Sequence, residues 1–215
     1  MLVELAAATL SRPNRLSLPD AGWRRTRASA VAAIASQLIR ADAQFSPCGL
    51  YRWMLERAWD RARPRLLFIG LNPSRADAER DDPTLRRLSG FAQSWGFGCL
   101  EVMNLFGRCS ASPAVLRRCS DPIGPDNDHW LRQGLARLQP QAGDALWLGW
   151  GNGGVWRQRD QQVLALLAAK LPADLPLWAI GLTASGQPRH PLYAPAAAQP
   201  LLLQHPGAVL RLATR

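Results

Sequence analysis

Four short runs of the chain are apolar at nearly every position: RLLFIGL at 65–71, CLEVMNLF at 99–106, DALWLGW at 144–150 and PLWAIGL at 176–182. A strand with one wet face alternates apolar and polar residues, so runs without alternation belong in a sheet covered on both faces. Helical periodicity fills the gaps between them. Asp82-Pro83 offers an N-cap followed by proline at the first helical position, and Leu85, Leu88, Ala92 and Trp95 recur at helical spacing before Gly96. SPAVLRR with Ser112 as cap, DNDHWLRQGLARL with Asp126 as cap, and residues 156–171 supply further helices. Strands alternating with helices require crossover connections, and crossovers make neighbouring strands parallel. The expected fold class is α/β, a three-layer α/β/α sandwich around a mainly parallel four-stranded central sheet. Tyr51, Trp53 and Leu55 alternate with Arg52 and Glu56, which adds an antiparallel edge strand.

At 215 residues and 47% hydrophobic composition, the chain can bury a full core in one domain. Residues 1–42 differ from the rest: RPNRLSLPDAGWRRTR has no periodicity, while ASAVAAIASQLIRA is compatible with one Ala-rich helix. They are read as an N-terminal appendage, flexible or a single helix, ahead of a single α/β domain over residues 43–215. Arg, Asp or Pro interrupts every apolar stretch before the roughly 18 to 20 residues that a membrane span needs, so no membrane partner is expected. Glu4 stands where a secretory signal carries positive charge, and the expected location is cytoplasmic. Cys48, Cys99, Cys109 and Cys119 form no CxxC pair, which leaves no expected metal, cofactor or disulfide framework. The net charge of +10 invites a nucleic-acid or nucleotide partner through phosphate contacts. That argument is diluted by composition, since Lys170 is the only lysine and the arginines are dispersed rather than blocked.

In open α/β sheets, ligands bind beyond the carboxyl ends of the strands, where loops and helix N-termini converge. The four strand exits carry Asn72, Pro73 and Ser74; Asn104; Trp150, Gly151 and Asn152; and the segment Thr183 to His190, with Ser185 and Arg189. Asn72 in an Asn-Pro pair is either a turn cap or an amide that orients water or a base edge, because an amide both donates and accepts. His190 is either a solvated loop residue or a group that stabilises negative charge on a leaving heterocycle. These two are the catalytic candidates. Pro73, Ser74, Asn104, Trp150, Gly151, Asn152, Thr183, Ser185 and Arg189 are the substrate-binding candidates, with a core role competing for Trp150 and a capping role for Ser74. The acidic stretch Asp77, Glu79, Asp81 and Asp82 reads as a solvated loop whose last member caps a helix. Asp77 or Asp81 would become a base only if that loop folds inward.

The segments GLNPSRADAERDDPTLRR, GFAQSWGFGCLEVMNLF, DPIGPDND, WGNGG and GLTASGQPRHPLY, spanning about residues 48–195, resemble the domain-of-unknown-function 1643 family. That resemblance implies a shared fold and brings no reaction with it. More distantly, GLNPS at 70–74, LGWG at 148–151 and His190-Pro191 are similar in order and position to motifs of the uracil-DNA glycosylase superfamily, although LYAP follows His190-Pro191 here in place of SPLS. The second resemblance implies a uracil-DNA-glycosylase-like fold, with Asn72 positioning water or base and His190 stabilising the departing base. The function so implied is that of a nucleobase-recognising, glycosylase-like hydrolase acting on an N-glycosidic bond. Two alternatives stay open: a non-catalytic nucleic-acid or nucleotide-binding module, and an enzyme acting on free nucleosides or nucleotides.

Overall fold

The computed structural model describes residues 39–204. Residues 1–38 of the appendage expected at 1–42 therefore lie outside the described residues. In chain order the elements are β1 (Arg40–Phe45), β2 (Arg52–Ala58), β3 (Arg65–Gly70), α1 (Pro83–Ser94), β4 (Cys99–Asn104), α2 (Pro113–Leu116), α3 (Asn127–Ala136), β5 (Ala145–Leu148), α4 (Arg159–Lys170), β6 (Leu177–Ala179) and β7 (Leu201–Leu202). One mixed α/β sheet contains all seven strands in the order β1-β2-β4-β3-β5-β6-β7. Pairing is parallel between β3 and β4, β3 and β5, and β5 and β6, and antiparallel where β1 meets β2, β2 meets β4 and β6 meets β7.

The unbroken apolar runs have the consequence that their pattern requires. Leu67, Ile69, Met103, Leu146 and Leu148 join one core with Leu131 and Leu135 of α3 and Val163 and Leu167 of α4. Their neighbours Leu66, Phe68, Leu100, Val102 and Trp147 join a second core with Leu85, Leu88, Phe91 and Ala92 of α1. Alternate residues of one strand thus feed two cores, since successive side chains leave a strand on opposite sides. Each fully buried Leu, Ile or Phe contributes about 1.5–3 kcal/mol of transfer free energy. Among the described residues no helix is long and apolar enough to cross a membrane.

Several expected elements change. The edge position assigned to residues 51–55 belongs instead to β1, which pairs outside β2 from Arg40 onward, so Arg40, Ala41 and Asp42 are sheet rather than appendage. Asp126 sits in left-handed backbone (φ 61°) and makes no side-chain cap, whereas Ser112 and Asp82 accept from Val115 N and Leu85 N as N-caps do. The helix expected from 156 begins at Arg159. Arg157 and Gln158 take left-handed φ values of 57° and 55°, which break the helical path and end a 3₁₀ segment, while Trp156 packs on Phe106 at 5.0 Å.

Candidate functional site at the strand exits

The loop after β3 folds back through paired side chains. Arg57, buried on β2, donates to Asp81 from Nε at 3.0 Å and from Nη2 at 2.8 Å, and its Nη2 also reaches the Asp77 carbonyl. Asp77 spends Oδ1 on the amides of Glu79 and Arg80, and these bonds hold its carboxyl below the usual range. Both carboxylates thus shape the loop, and neither lines the strand-exit cleft. Asp82 caps α1 through Oδ1 and accepts from the Ser74 hydroxyl through Oδ2.

A cleft of about 40 Å³ opens beyond the ends of β3 and β4. Its polar wall includes Asn72, Ser74, Asp82, Asn104, Arg52 and His190, and Phe68 and Leu88 are among its apolar residues. At roughly 10–15 Å³ per water, such a space holds a few water molecules. Asn72 is fixed by its own donors: Nδ2 bonds the Pro73 carbonyl at 2.9 Å and the Ser110 carbonyl at 3.1 Å. Its Oδ1 has no partner among the described residues and is not sealed from water, so the amide offers the cleft an acceptor of fixed direction.

His190 lines the same cleft from the turn before Pro191. Its Nδ1 accepts the Leu192 amide at 3.3 Å, which leaves the proton of the neutral ring on Nε2. Gly149 and Gly151 make this approach feasible. A Cβ on Gly149 would lie 2.5 Å from the Phe68 ring and 3.2 Å from Pro191, and Gly151, at φ +66°, would place one 3.5 Å from the His190 Cβ. Arg87 of α1 fastens the same turn by donating to the carbonyls of Pro191, at 2.9 Å, and Ala194. Burial holds the imidazole below its ordinary value of 6.5. The unfolded chain therefore takes up this proton first as pH falls, and the folded state keeps the full contribution above pH 6.5 and loses it as pH drops through the lowered value. Unfolding free energy should accordingly decline as pH falls below the ordinary value of 6.5, and His190→Gln should flatten that slope in urea titrations. Superimposable wild-type and variant profiles would contradict the placement of His190.

The other exit residues lie elsewhere. Trp150 is 1% exposed, sits in the core and donates its indole N–H to Gln187 at 2.7 Å, so it offers no face for stacking. Asn152, Ser185 and Thr183 form their own exposed chain: Ser185 Oγ donates to Asn152 Oδ1 at 2.8 Å and lies 3.1 Å from Thr183 Oγ1. Exposed Arg189 reaches only the Leu182 carbonyl, at 3.4 Å, and Pro73 is buried beneath Asn72. The glycines of WGNGG serve packing, because a Cβ on Gly153 or Gly154 would strike Leu71 at 2.7 Å or the Trp150 ring at 2.3 Å. Pattern reading missed Arg52 and Phe68, and saw in Asp82 only a cap. Arg52 was legible only through topology: β2 is antiparallel to β4, so its first residue lies where the parallel strands end.

A larger cavity, about 490 Å³, lies at the other end of the sheet, beside the first residues of β3 and β4. Arg40, Arg61, Arg63, Arg65 and Arg137 line it. Four of these five arginines are already paired. Arg65 Nη1 bonds Glu56 at 3.1 Å and Glu101 at 2.7 Å, Arg137 also holds Glu101, Arg40 pairs with Asp42 and Glu56, and Arg63 pairs with Asp60. Asp144 accepts the amides of Arg65 and Gln139. A ligand there would have to break existing pairs, so the smaller cleft is the better candidate. Buried Cys99 borders the large cavity with its thiol pushed up to about 12. Among the described residues no three His, Cys, Asp or Glu side chains converge as a metal site.

A mixed α/β sheet with a polar cleft at the carboxyl ends of its parallel strands defines the class of protein. Within that class, the profile of the family described as "Protein of unknown function (DUF1643)" matches residues 52–192, and the chain belongs to this family. The matched span begins at Arg52 and ends just past His190, and so takes in every residue of the cleft. No curated protein and no solved structure matches the chain.

Proposed function

We propose that the strand-exit cleft receives a nucleobase and that the protein hydrolyses its N-glycosidic bond, on a three-layer α/β/α sandwich of the uracil-DNA-glycosylase kind. The observation that supports this reading is the convergence of Asn72 and His190, distant in sequence, on one cleft beside an aromatic ring. In the proposed reaction water attacks the anomeric carbon, the carbon–nitrogen bond breaks, its electron pair leaves with the base, and the proton that the water sheds ends on the departed base anion. Asn72 Oδ1 orients the water, which an amide does without acting as a strong base. Asp82 supplies negative charge against the positive charge that develops on the sugar, and His190 Nε2–H donates to the departing base. At about 40 Å³ the cleft is far below the roughly 300 Å³ at the lower end of small-molecule sites, so a base enters only as the His190 turn withdraws. A flipped nucleotide fits that requirement, since its binding energy can open the turn.

The test is release of the base from oligonucleotides carrying uracil, mismatches or damaged bases, scored as strand scission at the abasic site. Release from at least one substrate is expected. Binding across the panel without release would replace the hydrolase by a recognition module, and neither binding nor release at low salt would remove both readings.

A further inference from the structure

Three arginines are buried to a similar degree: Arg52 at 4% exposure, Arg57 at 2% and Arg159 at 2%. Taking a guanidinium out of water is costly unless a counter-charge goes with it. Two of the three follow the rule. Arg57 forks onto Asp81, and Arg159 pairs with Asp128 while its Nε bonds the Leu105 carbonyl. Arg52 has no carboxylate partner among the described residues. Its Nη1 bonds the Ala76 carbonyl at 2.7 Å, its Nη2 reaches Asn104 Oδ1 only at 3.5 Å, and its Nε is buried without any partner. The carboxylate on the same cleft wall is already engaged, since Asp82 gives one oxygen to Leu85 N and the other to Ser74. Burial pulls Arg52 down to about 10, which still leaves it a cation at neutral pH.

We infer that Arg52 forms an anion subsite in the strand-exit cleft, and that the ligand brings the missing counter-charge as an anionic oxygen. Asn104 lies beside that position and completes it. The inference rests on the proposed nucleobase reading for its identity of ligand: there the oxygen is a ring carbonyl of a base that departs as an anion, which selects bases carrying such a carbonyl over those that carry only amino groups. The subsite itself needs only a compact oxyanion, and a carboxylate or a phosphate supplies the same chemistry.

Thermal melting of the full chain separates these cases, with acetate and inorganic phosphate as probes, acetamide as the neutral isostere of acetate, and sodium chloride matching ionic strength. A probe near one hundred times its Kd should raise the wild-type Tm by roughly 5 to 10 °C. Acetate, phosphate or both should do so, and acetamide should not. Arg52→Met, which removes a buried cation that no carboxylate pairs, should melt close to the wild type in chloride alone and gain nothing from either anion. Equal shifts from acetate and acetamide, or an undiminished anion shift in Arg52→Met, would overturn the subsite. Should Arg52→Met not fold, the wild-type Arg52 Nε–H resonance carries the same question, because it must move on adding an anion and stay still with acetamide. Base release is a separate readout. Release without anion binding removes the subsite alone, while anion binding through Arg52 without release removes the hydrolase alone.

Discussion

Trp147→Ala is expected to lower the free energy of unfolding by about 3–5 kcal/mol, a large share of the roughly 5–15 kcal/mol that holds a domain of ordinary stability. Trp147 is fully buried on β5. Its ring lies 4.8 Å from Phe68, 4.7 Å from Trp95 and 5.8 Å from Phe91, all edge-on, so it is the shared partner that ties β3 and β5 to α1. Truncation leaves a void bounded by strands and helix that cannot collapse without moving the sheet, the condition under which cavity costs are highest. Trp147→Phe separates packing from polarity. The Trp147 Nε1–H is buried without a partner, so phenylalanine removes an unsatisfied donor while keeping most of the ring, and it should cost well under half as much as alanine. Urea unfolding at constant m-value measures both. A loss below about 1 kcal/mol for Trp147→Ala would mean that β5 is not packed as described.

The same strand shows why part of the fold was legible. In β3, β4 and β5 almost every residue is buried, because helices cover both faces, and that condition leaves short unbroken apolar runs whose length, shorter than a helix, marks them as strands. The outer strands have no such signature. RADAQF of β1 is mostly half-exposed and β7 is two exposed leucines, so both are held by backbone pairing, which any sequence can supply. Buried charge was the other blind spot. Arg52 and Glu56 alternate with apolar residues as a wet face would, yet both are buried, one against the cleft and one between Arg40 and Arg65. Periodicity assigns polar residues to solvent because it cannot see partners contributed from distant segments. Caps failed and succeeded for a related reason: Asp82 and Ser112 lie in extended backbone that lets the side chain turn toward the helix, whereas Asp126 is turned away by its left-handed φ.

The site divides along similar lines. The rule that ligands gather at strand exits placed Asn72, Ser74, Asn104 and His190 around one space, because it depends only on topology. Trp150, Thr183, Ser185 and Asn152 follow the same strands, but β5 and β6 end in tight turns that point their side chains into the core or along the surface. The electrostatics also required coordinates. Of the five arginines around the large cavity, which sequence counts only as net charge, four are spent on Asp42, Glu56, Asp60 and Glu101, and Arg61 has no salt bridge among the described residues.

On the proposed chemistry, Asn72→Ala should lower base release by about 10²–10³-fold, the loss typical of removing one fixed hydrogen-bonding group from a transition state. The more discriminating variant is Asn72→Asp. A carboxylate is a stronger base than an amide, so if Asn72 were only a weak base in an adaptable position, aspartate would raise the rate. The geometry requires the reverse. Asn72 Nδ2 faces two carbonyl oxygens, those of Pro73 and Ser110, and aspartate would turn an acceptor toward both. Three oxygens without a proton between them repel, and the side chain must either rotate out of the cleft or take up a proton, which abolishes the gain in basicity. Asn72→Asp is therefore expected to release base no faster than Asn72→Ala and to be less stable than wild type by about 1–3 kcal/mol at neutral pH. Part of that stability should return as pH falls and the carboxyl is protonated. Single-turnover release and urea unfolding, each at two pH values, provide the measurements. An aspartate variant that folds with wild-type stability and cleaves faster would show that the amide is not pinned, and the assignment of Asn72 Oδ1 as the oriented acceptor would fall with it.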